Sequence, residues 1–325
     1  MCLADMSRTL PVAQFTCLLL LLAVMASLSG CGSADKTSPG EKLKVVATTT
    51  IIGDVVKQIA GDRIELNVLL PVGASPHSFE STPRDVATLS KADIIFINGL
   101  HLEQFLENII ESAGVRERLV SVSQQIKARQ LQKKKDQEAK DQAVSRPDPH
   151  VWTSPVNVLS WVEVIKETLA QKDSQNRNYY EERAAVYKTQ LDSLDQWIQA
   201  MIDSIPGENR KLVTDHLMFG YFCERYGLKQ VGAIIPSFST LAEPSARDFA
   251  RLEDTIRKTK VKAVFVGKTI NPNLAEQITR DTGIGLHKIY TGSLGEPGSG
   301  AETYIQYMKY NVNQITAALG GNGTS

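Results

Sequence analysis

From residue 44 onward, short apolar runs alternate with segments that have the periodicity of helices. Val45-Val46-Ala47 predicts a buried strand, and residues 51–59 predict the helix that follows it. The same pattern predicts strands at 64–70 and 94–97 and helices at 85–90, 103–113 and 157–171. Strands that alternate with helices in this way are typical of parallel βαβ units.

Residues 178–205 contain no glycine or proline and carry apolar side chains at steps of three and four. They predict one long amphipathic helix of about 40 Å, at 1.5 Å per residue. After Pro206-Gly207 the alternation resumes, with strands predicted at 212–214, 231, 261–266 and 286–290 and helices at 218–226, 245–258, 273–282 and 301–319. We therefore predict an α/β fold of two lobes, each a parallel sheet flanked by helices, joined by one long rigid helix. Ligands of such sheets bind beyond the carboxyl ends of the strands, here in the cleft between the lobes.

The first 30 residues predict an export signal. An uncharged run at 15–28 is too short for a comfortable membrane span and ends in small residues. Leu28-Ser29-Gly30-Cys31 resembles a bacterial lipobox, which implies lipidation of Cys31; the alternative is a plain signal peptide with an incidental cysteine. The predicted organisation is a lipoprotein signal peptide (1–30), lipidated Cys and flexible tether (31–43), N-terminal lobe (44–177, with a charged loop at 124–146), linking helix (178–205) and C-terminal lobe (206–325).

Composition narrows the functions. The 36 basic and 36 acidic side chains cancel, so no net field attracts nucleic acid or anionic lipid. The charged loop lacks the aromatic residues of a nucleic-acid surface, and we expect no nucleic-acid partner. Of four cysteines, only Cys223 stays in the exported domain outside the lipidation site, which predicts a buried thiol and no internal disulfide. We expect a monomer.

Three histidines share a context that favours a metal site. His77 and His150 follow prolines, His216 follows Asp215, and Asp148 lies two residues before His150. A single loop histidine is more often solvated, but three in matched contexts favour metal binding, since imidazole is a common ligand for transition metals. The two aspartates can accept the second N–H of each ring.

The ordered motifs around these histidines resemble those of the substrate-binding lipoproteins of metal ABC transporters, the zinc/manganese-binding cluster A-I family (bacterial solute-binding protein family 9). The motifs are Ala74-Ser75-Pro76-His77-Ser78-Phe79-Glu80, Asn98-Gly99-Leu100-His101-Leu102-Glu103, Asp148-Pro149-His150-Val151-Trp152, His216-Leu217-Met218-Phe219-Gly220-Tyr221-Phe222 and Tyr304-Ile305-Gln306-Tyr307-Met308-Lys309-Tyr310-Asn311. The resemblance implies a bilobed fold with metal ligands His77, His150 and His216. In this family a histidine at the third position goes with zinc and a glutamate with manganese.

One position departs from the family. Many members carry a fourth ligand, an aspartate, in a Thr-Asp-Ser turn, whereas this chain has Thr291-Gly292-Ser293. The fourth ligand is then a water, Glu243 or Glu296, although each glutamate is more simply a solvated loop residue. The charged loop also lacks the histidines of some zinc-binding members. We interpret His101 as either a residue that supports the site or a polar residue at a helix start, and His287 as structural.

We therefore predict an extracytoplasmic receptor, anchored to the membrane through lipidated Cys31, that captures Zn²⁺ and delivers it to an ABC permease with its ATPase. Manganese or iron is the alternative cargo. A zinc hydrolase and a metal-stabilised adhesin are the alternatives from other classes. We expect no enzyme, because the chain has no His-Glu-x-x-His helix and Glu243 is its only weak candidate for a general base.

Overall fold

The computed structural model describes residues 41–130, 147–268 and 273–322. The predicted signal peptide, Cys31 and nearly all of the tether lie outside these ranges, as do residues 131–146 of the charged loop. Residues from Lys42 onward form one compact unit. No helix among the described residues is long and apolar enough to cross a membrane.

The first lobe is built on a four-stranded parallel sheet with the strand order β2-β1-β3-β4. Its elements are β1 (Leu43–Ala47), α1 (Thr50–Ala60), β2 (Ile64–Val68), α2 (Pro83–Ser90), β3 (Ile94–Ile97), α3 (Glu107–Ala113), β4 (Leu119–Ser121) and α4 (Pro155–Lys172). The short strand β4 was not predicted, because Leu119-Val120-Ser121 is half-buried and too brief to show a period. The rest of the predicted alternation is confirmed.

The second lobe repeats the plan with the parallel order β6-β5-β7-β8. Its elements are β5 (Lys211–His216), α6 (Gly220–Tyr226), β6 (Lys229–Ile235), α7 (Ala246–Thr259), β7 (Ala263–Gly267), α8 (Asn273–Thr282), β8 (Gly285–Ile289) and α9 (Tyr304–Leu319). Helix α9 begins three residues later than predicted. Thr303 and Gln306 form a capping box there, each side chain accepting a backbone N–H of the other residue.

The long helix α5 (Arg177–Asp203) stands between the sheets, as the sequence predicts. It packs against α1 and α4 of the first lobe and against α9 of the second. Its buried face includes Tyr187, Leu191 and Ile198, which lie at helical spacing. Two parallel sheets flanked by helices, with one long helix between them, confirm the predicted fold class.

One continuous apolar core runs through both lobes. It contains Leu43 and Phe96 of the first sheet, Leu191 of α5, and Leu212 and Phe265 of the second sheet. A smaller apolar cluster covers the opposite face of the first sheet, and another covers the opposite face of the second. Cys223 is a buried free thiol whose pKa burial raises to about 12, which confirms its predicted role as a small packed side chain.

Candidate metal centre

The structure brings the three predicted histidines together at the carboxyl ends of the strands. His77 lies in the loop that follows β2, His150 lies just before the turn Val151–Thr153 that leads into α4, and His216 is the last residue of β5. The Nε2 atom of His150 is 3.1 Å from that of His77 and 3.2 Å from that of His216. Two loops of the first lobe and one strand end of the second therefore meet at one point.

Aspartates fix the orientation of two of the rings. Asp148 Oδ1 lies 2.8 Å from His150 Nδ1 and also accepts the backbone N–H of His150 at 3.0 Å. Asp215 Oδ1 lies 2.7 Å from His216 Nδ1 and accepts the backbone N–H of His216 at 2.6 Å. An ionised carboxylate can only accept, so beside an ionised aspartate each Nδ1 donates its proton and the Nε2 lone pair of each ring is left for the shared centre.

Burial favours the neutral form of the His77 and His150 imidazoles. Desolvation, together with the neighbouring histidines, holds the pKa of His77 and His150 well below the usual value. Burial also raises the pKa of Asp148 to about 7. For Asp215, burial alone would raise the pKa, but the His216 imidazole and the N–H groups of Gly267 and His216 outweigh it and lower the pKa. His77 and His150 therefore present uncharged nitrogen donors, and the carboxylate of Asp215 stays ionised.

This geometry fits a small divalent cation. The Nε2 lone pairs of His150 and His216, which meet at 3.2 Å, repel one another unless a cation lies between them. Four ligands at the usual zinc–nitrogen distance in a tetrahedron are ~3.3 Å apart, close to the 3.1 and 3.2 Å found here. All three donor nitrogens lie within 4.8 Å of one another. The cavity between them has a volume of about 10 Å³, which suits an ion or a single water.

Gly292 lines this cavity, and no carboxylate of the described residues does. A Cβ atom added at Gly292 would lie 2.5 Å from Cδ of Pro76, because the loop after β8 touches the loop that carries His77. Glu243 and Glu296, the two carboxylates predicted as alternative ligands, are exposed and do not line the cavity. The side chains that do line it beside the histidines are Ser75, Pro76, Trp152, Met218, Thr240 and Thr291.

The two remaining histidines lie elsewhere. His101 is exposed and adopts a left-handed backbone conformation with φ of 61°. It does not line the cavity. His287 is half-buried in β8, with its ring 5.8 Å from that of Phe265, and it matches the structural role predicted for it.

Buried polar groups hold the segment before His150 in place. The carboxylate of Glu103 accepts hydrogen bonds from the Thr48 hydroxyl and from the N–H groups of Asn98 and Gly99. The Asn98 amide then donates to the carbonyl of Pro149 at 3.0 Å. Sequence reasoning found Asn98, Gly99, Glu103 and Pro149 only as parts of two motifs and did not find Thr48, because nothing in their spacing shows that they support His150.

A second contact holds the other side of the same segment. The hydroxyl of Tyr221, on α6, donates to the carbonyl of Asp148 at 2.9 Å and accepts the N–H of Arg129 at 3.0 Å. Arg129 also pairs with Glu224 of α6. The base of the charged loop is thus fixed to the second lobe next to the candidate metal ligands.

Known protein families and solved structures similar to this chain have functions and folds that agree with this architecture. The family model "Zinc-uptake complex component A periplasmic" matches residues 45–318. The chain is 33% identical to the manganese-binding lipoprotein MntA of Halalkalibacterium halodurans, over 94% of this chain and 98% of that protein. It is 34% identical to the manganese ABC transporter substrate-binding lipoprotein PsaA of Streptococcus anginosus, over 94% and 98%.

Among solved structures, the periplasmic zinc-binding protein TroA of Treponema pallidum has a TM-score of 0.76 and 30% identity, covering 86% of this chain and 99% of TroA. These relatives are binding proteins rather than enzymes, which confirms that the chain is not an enzyme and sets the hydrolase hypothesis aside. With the matched model spanning most of its length, the chain belongs to the metal-binding, substrate-binding proteins of ABC transporters, the cluster A-I family that its motifs resemble.

Proposed function

We propose that this protein captures zinc outside the cytoplasm and delivers it to an ABC permease driven by an ATPase. One observation carries the proposal: the Nε2 atom of His150 lies 3.1 Å from that of His77 and 3.2 Å from that of His216, with two of the rings oriented by aspartates. The proposed ligands are these three imidazoles, with a water at the fourth position. Zinc is the cargo of the site and not a catalyst.

The donor set is the reason for preferring zinc. Neutral imidazoles suit zinc, whereas manganese favours carboxylate, carbonyl and water oxygens. The described cavity lining offers no carboxylate, since Gly292 stands where many family members have an aspartate. The relatives named above include both manganese-binding and zinc-binding proteins, so manganese, or iron, is the second candidate.

We further propose that Cys31 carries the lipid anchor, as expected for a relative of named lipoproteins. The proposed organisation is a signal peptide at 1–30, a tether at 31–43, lobes at 44–177 and 206–325 and a linking helix at 178–205. The protein acts as a monomer.

A metal that served only to stabilise the fold, as in the adhesin hypothesis, would leave the protein unfolded without it. The continuous apolar core argues against this, because Trp152 and Met218 are its only members that also line the metal cavity. We expect the metal-free protein to be folded.

The test is metal binding by the soluble protein from residue 32 onward, with zinc and manganese offered together. The variants are wild type, His216→Ala and the matched control His287→Ala, which removes a histidine of the same lobe outside the cavity. We expect one equivalent of zinc in wild type and in the control, and loss of high-affinity binding in His216→Ala.

Stoichiometric binding of manganese in place of zinc would contradict the assignment of zinc as cargo but would leave the role as a metal receptor in place. Full binding by His216→Ala would remove this residue from the ligand set. Absence of any metal from wild type, or unfolding of the metal-free protein, would contradict the proposal as a whole.

A further inference from the structure

The segment Thr291–Leu294 of the second lobe contacts both histidine-bearing segments of the first lobe, although it supplies no metal ligand. We propose that Ser293 and Thr50 form an interlobe clasp that holds the centre closed and sets the rate at which metal leaves. Ser293 is a positioning residue, because it contacts the loop that carries His77 and not the metal. The inference rests on the proposed function, because it concerns release of the metal from that same site.

The clasp is a closed circuit of hydrogen bonds between lobes. Ser293 Oγ accepts the backbone N–H of Gly73 at 2.9 Å, in the loop that leads to His77. Thr50, the first residue of α1, accepts the N–H of Leu294 at 2.9 Å. Its own hydroxyl lies 3.3 Å from Ser293 Oγ, which in turn donates to the Leu294 carbonyl at 3.0 Å.

The donors and acceptors of this circuit are consistent with one another. The Ser293 proton is used on Leu294, so Thr50 must be the donor in the contact between the two hydroxyls. Ser293 is 2% exposed, so water does not readily replace these partners. A buried hydroxyl that loses its partners costs more than the bond itself contributes.

Thr291, the residue before Gly292, contacts the segment that carries His150. The Thr291 carbonyl accepts the indole N–H of Trp152 at 3.1 Å and the hydroxyl of Tyr307 at 2.8 Å. Trp152 lies two residues after His150, and its ring packs 5.2 Å from the His150 ring. One short segment of the second lobe thus holds both histidine-bearing segments of the first.

A carboxylate ligand at position 292 would bind the second-lobe loop to the metal directly. Glycine cannot do so, and in this chain hydrogen bonds from the neighbouring residues make the connection between that loop and the first lobe. Opening of the cleft must break them before the histidines can separate. The clasp therefore adds to the barrier for release without changing the ligands.

The experiment measures zinc dissociation from the loaded protein into an excess of a chromophoric chelator, for wild type, Ser293→Ala and Thr50→Val. Ser123→Ala is the matched control, because Ser123 is a 1% exposed serine that accepts the indole N–H of Trp161 within the first lobe alone. We expect dissociation to be about tenfold faster in each clasp variant, as for loss of a buried hydrogen bond, and within twofold of wild type in the control. The double variant should be little faster than either single one, because both belong to one circuit.

Hydrogen exchange of the Leu294 amide in the metal-free protein is the second readout. Its acceptor Thr50 is untouched in Ser293→Ala, so faster exchange there reports separation of the two loops and not simple loss of an acceptor. Wild-type dissociation rates in both clasp variants, or equal acceleration in Ser123→Ala, would overturn the clasp. If wild type binds no zinc, the proposed function fails, and Leu294 exchange alone then decides whether the clasp exists.

Discussion

Gly292→Ala is expected to weaken metal binding although it removes no ligand. The added Cβ would lie 2.5 Å from Cδ and 3.1 Å from Cγ of the buried Pro76, well inside normal carbon–carbon contact. Extra atoms in a tightly packed contact cost about 1–3 kcal/mol. Because the contact joins loops of different lobes, separation of the lobes relieves it.

The strain of this contact therefore falls on the closed, metal-binding arrangement, and the affinity for zinc should drop roughly 5- to 150-fold. Competition against a chelator of known affinity measures the drop. The unfolding midpoint of the metal-free protein should change little, since a local separation of the two loops in Gly292→Ala relieves the contact without unfolding either sheet.

Pro76 provides the internal control. Pro76→Ala removes the two atoms that the new Cβ would strike, so the pair Gly292→Ala and Pro76→Ala should recover most of the affinity lost in Gly292→Ala alone. Gly292→Asp carries the same clash plus a carboxylate, and comparison with Gly292→Ala isolates the effect of the charge, which should favour manganese over zinc. Wild-type zinc affinity in Gly292→Ala, or no recovery in the pair, would refute the steric reasoning.

Three further outcomes follow from the same structure. Asp215→Asn should lower the zinc affinity about 10- to 100-fold, because the His216 ring loses the carboxylate that orients it. Competition binding tests this, and an unchanged affinity would contradict it. A site of three imidazoles with ordinary pKa would lose roughly 50-fold in zinc affinity between pH 7.5 and pH 6. The lowered pKa of His77 and His150 keeps both rings neutral over this range, so the loss should be less than about tenfold. Zinc binding measured as a function of pH tests this, and a 50-fold loss would refute it. Asp195→Ala should lower the free energy of unfolding of the metal-free protein by about 1–3 kcal/mol, because the buried Tyr226 hydroxyl loses its acceptor at 2.8 Å. Denaturant unfolding measures this loss of stability. The zinc affinity should stay within twofold of wild type.

Most of the fold follows from the sequence because its signals are local. The helical period and the absence of glycine and proline at 178–205 predict α5 to within two residues at each end. The capping box of Thr303 and Gln306 explains why α9 begins three residues later than predicted. Strand β4 was missed because three half-buried residues carry no readable period.

The candidate site is harder to predict, since its parts meet only in three dimensions. The prolines and aspartates beside His77, His150 and His216 marked the three histidines, and the structure places them together. The sequence could not exclude Glu243 and Glu296 as ligands, because exposure depends on how the loops fold. Nor could it show that Ser293 reaches Gly73, since 220 residues separate them.

The shared core has a consequence for folding. Side chains of both sheets and of α5 belong to one apolar cluster, so neither lobe can expose its inner face without breaking contacts that also stabilise the other. Proteins whose parts have separate cores can melt in separate steps, whereas parts that share a core unfold together. Despite its two sheets, this protein should therefore melt in a single cooperative transition, and a destabilising substitution deep in either lobe should shift the midpoint for both.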